Sequence, residues 1–139
     1  MVRLIVGDKG KGKTKYLLEM ANEAVKTAEG SIVYLDKSTK HMYELSNKVR
    51  LINVKDFPVF GTEGFLGFVA GIISQDHDLE TMFLDSYLKL AYLEDKDITE
   101  EVEKIAALAE KHSVDLVISI SLDESAVPES LKKYIVVSL

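Results

Sequence analysis

The chain has 139 residues, of which 47% are hydrophobic and 29% charged, with a net charge of −6 and no cysteine. That length supports one domain with a buried core rather than two, and the lack of cysteine excludes disulfides and cysteine-ligated zinc. An acidic balance disfavours long-range attraction to nucleic acid, and no apolar run reaches the roughly 20 residues of a membrane span. With no leader pattern at Met1-Val2-Arg3, a cytoplasmic location is the expectation.

Leu4-Ile5-Val6 centres the first predicted strand, over 2–6. The next eight residues, Gly7-Asp8-Lys9-Gly10-Lys11-Gly12-Lys13-Thr14, match the phosphate-loop pattern G-x-x-x-x-G-K-[ST]. Glycines at 7, 10 and 12 let the backbone curl and turn its N–H groups inward, and the helix predicted over 13–28 adds unpaired donors at its start. Gly7, Gly10, Lys11, Gly12, Lys13, Thr14 and Lys15 are therefore the expected nucleotide-binding residues. Lys13 is expected to reach the β- and γ-phosphates, which gives it a catalytic role, and the Thr14 hydroxyl to take one position on Mg²⁺. Arg3, Lys9, Lys11, Lys13 and Lys15 against Asp8 alone make a positive mouth on an acidic chain.

A second strand over 31–36 ends at Asp36, followed by Lys37. Asp36 is the candidate for positioning an attacking water, with a turn or cap role as the alternative, and Lys37 for contacting phosphate. A helix is predicted over 39–47 and a strand over 50–54. Residues 62–75 predict a helix with an apolar stripe at Phe65, Leu66, Phe68, Val69, Ile72 and Ile73. The small residues between them, Gly64, Gly67, Ala70 and Gly71, are expected to let it pack closely on the sheet; a subunit contact or a membrane-touching face are the alternatives. Gln75-Asp76-His77-Asp78 reads as a solvated turn at the amino end of the sheet rather than a metal cluster. The strand over 81–85 ends at Asp85, the expected Mg²⁺ carboxylate at the carboxyl edge of the sheet, with a helix cap as the alternative.

Ser86 follows Asp85 where many P-loop ATPases carry a glutamate, so that position supplies no base. Helices are predicted over 86–93 and 98–112, the second opened by Asp97 and Glu100 as a capping-box variant and carrying Ile98, Val102, Ile105, Leu108 and Ala109 on one face. On the strand over 114–121, Ser119 or Ser121 is a candidate γ-phosphate sensor, and Asp123 and Glu124 are candidates for ribose or base contacts. A short helix near 128–133, opened by Pro128, and a strand over 134–138 complete the chain. His41 and His112 are expected on helix surfaces. Short apolar runs alternating with longer amphipathic stretches define a single α/β domain, 1–139, with a mostly parallel sheet of about six strands and helices on both faces.

Three blocks resemble the core of RecA-like ATPases, within the P-loop NTPase class: the loop at 7–14, the strand Val33-Tyr34-Leu35-Asp36, and the run from Leu51-Ile52-Asn53 through an apolar helix to Met82-Phe83-Leu84-Asp85-Ser86. The Asp-Ser ending is similar to that family's metal-binding strand. The resemblance implies a three-layer fold with strand order 3-2-4-5-1-6 and Asp36 beside Asp85. It also implies ATP or ADP as ligand with Mg²⁺, and a homo-oligomer or protein partner that completes the site. The chain is also similar to short bacterial P-loop proteins sometimes labelled twitching-motility ATPases, without the sensing domain or the histidine- and acid-rich boxes of a pilus motor. It departs from the RecA-like pattern at Asp36-Lys37-Ser38, where a glutamate belongs, and shows no recognisable DNA-binding loops. Partition-type ATPases would want lysine at Asp8, and no Asn-Lys-x-Asp sequence marks guanine specificity. The reading that follows is an ATP-binding protein with weak or partner-stimulated Mg²⁺-dependent hydrolysis, the alternative being a nucleotide-sensing adaptor that does not hydrolyse. A small-molecule kinase has least support, since no acceptor pocket or lid is recognisable.

Overall fold

In a computed structural model covering residues 1–139, six strands form one sheet in the order β3-β2-β4-β5-β1-β6. They are β1 (Val2–Val6), β2 (Ser31–Asp36), β3 (Val49–Asn53), β4 (Leu79–Leu84), β5 (Asp115–Ile120) and β6 (Ile135–Ser138). Every neighbouring pair is parallel, so all six carboxyl ends emerge along one edge. This is the expected α/β architecture and strand order. Leu35 pairs with Leu84 across β2 and β4, which sets the next residues, Asp36 and Asp85, side by side.

Helices cover both faces because both faces of a parallel sheet are apolar. Helix α1 (Lys13–Ala24) buries Leu17, Leu18 and Ala21 against Ile5, Ile32, Tyr34, Phe83 and Val117. On the other face lie α2 (Gly61–Gln75), α3 (Tyr87–Leu90) and α4 (Thr99–Lys111), packed on the opposite-parity residues Leu4, Val33, Leu35, Met82, Leu84 and Ile118. In α4 the buried positions are Val102, Ile105, Ala106 and Ala109, following a buried Ile98, while Leu108 is half-buried. No helix is long and apolar enough to cross a membrane.

Four local expectations need correction. Residues 39–47 form no α-helix, only a 3₁₀ turn at Met42–Glu44. The Asn22 side chain on α1 donates to Glu44 O (2.8 Å) and accepts from Ser46 N (2.7 Å), capturing backbone groups that a helix would pair internally. Helix α3 is one turn rather than 86–93, because Tyr92 adopts a left-handed conformation (φ 59°) and Leu93 N closes back onto Leu88 O. The segment after Pro128 is a 3₁₀ helix, Glu129–Tyr134. Asp97 does accept from Thr99 N at 2.9 Å, but Glu100 pairs with Lys104 instead of completing a capping box.

Helix α2 is where the expectation and the structure differ most. Phe65, Val69 and Ile73 face the core, and Leu66, Phe68 and Ile72 flank them. Gly64, Gly67 and Gly71 point the other way: a methyl group at any of them would meet no atom within 4 Å. The three glycines therefore form an open outer face rather than the contact with the sheet, because the large apolar side chains supply that contact.

Candidate functional site

The connection from β1 to α1 wraps the carboxyl edge of the sheet. Gly10 and Gly12 hold φ of 87° and 93°, backbone conformations that L side chains rarely adopt, so the loop requires glycine at both. Gly12 is also the residue that opens α1. Lys13, only 7% exposed, folds its ammonium back to donate to Gly7 O (2.7 Å) and Asp8 O (3.0 Å). Burial holds that ammonium below its ordinary range, against the opposing charges of Asp85 and Asp8.

Beside this loop opens a cavity of about 500 Å³, lined by Gly10, Gly12, Lys13, Thr14 and Asp85 among others. The Thr14 hydroxyl donates to Asp85 Oδ1 at 3.2 Å, joining two elements 71 residues apart in sequence. Asp85 is 3% exposed and has two more donors, Ser119 Oγ to Oδ1 and Tyr34 Oη to Oδ2, each at 2.9 Å. Ser119 Oγ in turn accepts from Ser86 N. One carboxylate thus lies in a fixed orientation, held by three neutral hydroxyls from three separate elements. Burial, with the charge of Asp85, pushes the Tyr34 phenol far above its ordinary value, so it remains a donor at any working pH.

The donor set suits Mg²⁺: one hydroxyl and one carboxylate are hard oxygen ligands, and that ion takes few protein ligands beside phosphate oxygens and water. The wall also carries five lysines, Lys9, Lys13, Lys37, Lys40 and Lys89, which fit an anionic ligand. Gly7, Lys11 and Lys15 do not line the cavity; Gly7 takes part through the carbonyl that holds Lys13, and the Lys11 and Lys15 side chains are exposed.

Asp36 stands beside Asp85 but is 3% exposed and outside the cavity lining. Its Oδ1 accepts from Lys37 N at 2.7 Å, and its Oδ2 is buried with no partner. Burial pushes this carboxyl above the usual range against that hydrogen bond, and Asp85 pushes the same way. Ser119 and Ser121 both line the cavity, and the Ser119 hydroxyl donates to Asp85. Asp123 caps the 3₁₀ helix Glu124–Ala126 by accepting from Ser125 N, and neither it nor Glu124 reaches the cavity.

Several wall residues carry no sequence signal. His41 lies on no helix and lines the cavity beside Glu44, correcting its assignment to a helix surface. Glu94, Asp95 and, from α3, Lys89 reach the same cavity, while Tyr34 on β2 stays behind its wall and acts through Asp85. The exposed turn at His77 leads into β4 at the amino edge, as expected, away from this site.

Sheet order, strand polarity and a glycine loop leading into α1 together define the fold as RecA-like, an all-parallel six-stranded sheet with helices on both faces. A KaiC-like protein from Pyrococcus horikoshii superposes with a TM-score of 0.68 at 14% identity, covering 96% of this chain and 68% of that one. The flagellar accessory protein FlaH from Methanocaldococcus jannaschii gives 0.61 at 13% identity, covering 95% and 65%. The chain thus spans about two thirds of the length of these structures, and at such low identity the likeness is one of fold. No family model matches the chain, and neither does any curated protein.

Proposed function

We propose that this chain binds a nucleoside triphosphate, ATP or its product ADP, as a magnesium complex, and hydrolyses it slowly or when a partner completes the site. One observation carries the reading: the hydroxyl of Thr14 and the carboxylate of Asp85 meet at 3.2 Å on the wall of a lysine-rich cavity. In this reading Thr14 and Asp85 hold Mg²⁺, which when bound neutralises charge on the phosphate oxygens. The backbone N–H groups of residues 10–15 cradle the phosphates, and Lys13 exchanges the carbonyls of Gly7 and Asp8 for phosphate oxygens.

Slow turnover follows from the placement of the acids. Hydrolysis passes the terminal phosphoryl group to a water oxygen, and that water must be oriented and lose a proton. Ser86 has no carboxylate to offer, and Asp36, the candidate for positioning the water, is buried outside the cavity lining, which leaves only Glu94 and Asp95, beyond α3, as acids on the wall besides Asp85. A neighbouring subunit or another protein would supply what is missing. A cytoplasmic setting belongs to the same reading, supported by a chain without cysteine.

The withdrawn position of Asp36 favours one second reading, a nucleotide-sensing adaptor that does not hydrolyse. Calorimetric titration with Mg–ATP and Mg–ADP, followed by phosphate-release assays on the parent, Lys13→Ala and Asp36→Asn, separates the two. Release that Lys13→Ala abolishes supports the enzyme, and a further loss in Asp36→Asn would bring that acid into the reaction. Binding without release at any concentration leaves the adaptor, and Lys13→Ala binding as tightly as the parent would remove both.

A further inference from the structure

The chain has two arginines, Arg3 and Arg50, and neither lines the nucleotide cavity. Arg3 borders a separate cavity near the start of β1, and Arg50 is exposed in the amino half of β3. The side chains of this chain that carry a permanent positive charge on the cavity wall are therefore lysines. Beyond the glycine loop, the cavity has only Lys37, Lys40 and Lys89.

Lys37 and Lys89 differ from Lys40 in two ways. Each follows one of the two adjacent aspartates: Lys37 comes directly after Asp36 at the end of β2, and Lys89 lies on the single turn that follows Asp85 and Ser86. Both also border an adjacent, mainly apolar cavity of about 330 Å³, formed with Val54, Phe57 and Leu90, so they make the partition between the two spaces. Both side chains line the same two cavities, and burial, with the charge of Lys89, holds the Lys37 ammonium below its ordinary range. Two like charges on a wall shared by two cavities are stabilised by an anion placed between them.

We propose that Lys37 and Lys89 form a terminal-phosphate subsite, a cationic pair belonging to this chain that engages the γ-phosphoryl oxygens and makes the pocket distinguish a triphosphate from a diphosphate. The inference rests on the nucleotide reading above and assigns the part of the pocket that the glycine loop does not reach. It places in cis the charge that would otherwise come from another subunit. Selectivity then depends on two lysines and not on Ser119, whose hydroxyl is committed to Asp85.

The test is a calorimetric comparison of Mg–ADP with the magnesium complex of a β,γ-imido triphosphate analogue. It uses the parent, Lys37→Gln, Lys89→Gln and, as a charge-matched control, Lys55→Gln, which borders only the apolar cavity. Each of the first two substitutions is expected to weaken the analogue about tenfold and ADP by less than about twofold, with the control changing neither. Parallel weakening of both ligands, or no weakening of either, would overturn the subsite while leaving the nucleotide reading in place. A parent that binds neither ligand would overturn both.

Discussion

The Tyr34 hydroxyl donates to Asp85 Oδ2 at 2.9 Å in the interior of the sheet, where Tyr34 is fully buried and Asp85 is 3% exposed. A phenol on β2 thereby fixes a carboxylate leaving β4, the neighbouring strand. Removing the hydroxyl leaves that oxygen buried and short of a donor. Tyr34→Phe is expected to cost about 2 kcal/mol of stability, typical of a hydrogen bond to a charged group, measured by urea unfolding. A loss below about 0.5 kcal/mol would mean the carboxylate finds another partner.

Asp36 is under the opposite constraint, because one of its oxygens is buried without a partner and its folded pKa is raised. The folded chain then holds a proton on this group that the unfolded chain has lost, so stability falls as pH rises from the ordinary aspartate value through the raised one. Asp36→Asn is expected to remove that slope and to stabilise the protein at neutral pH by about 1 kcal/mol. Unfolding midpoints measured across pH 4 to about 8 check both parts.

Much of the arrangement is readable from the residues, for identifiable reasons. Strands such as Ile32-Val33-Tyr34-Leu35-Asp36 announce themselves because an apolar run ends in one acid, and glycines at 10 and 12 announce a loop with left-handed backbone. Tyr34 was not legible as a site residue: in sequence it is one more core aromatic, and only the pairing of β2 with β4 brings it to Asp85. His41 and Lys89 are hidden for the same reason, since segments far apart in sequence build the cavity wall. In α2, periodicity marks the apolar stripe but does not say which side the small residues take.

Those open glycines supply another prediction. Gly67 and Gly71 lie inside α2 with space for a methyl group, so alanine restricts the unfolded chain without a clash. Gly67→Ala and Gly71→Ala are each expected to stabilise the protein by about 1 kcal/mol, in denaturant unfolding. Destabilisation by either would show that another surface packs on that face in solution.

Ser86 holds φ 59° and ψ 46° between β4 and α3, a left-handed conformation that disfavours any side chain. Its backbone N–H, which donates to Ser119 Oγ, is retained on replacement by glycine. Ser86→Gly is therefore expected to raise stability by about 1 kcal/mol while leaving nucleotide affinity unchanged. A drop in stability in the same unfolding assay would mean that the serine side chain makes a compensating contact.

The most direct measurement is a crystal structure grown with magnesium and a non-hydrolysable triphosphate at saturating concentration. The account predicts phosphate density against the backbone of residues 10–14, Lys13 turned from the carbonyls of Gly7 and Asp8 to phosphate oxygens, and Mg²⁺ at Thr14 beside Asp85. Nucleotide bound elsewhere, or a cavity holding only water with Lys13 still on those carbonyls, would contradict it.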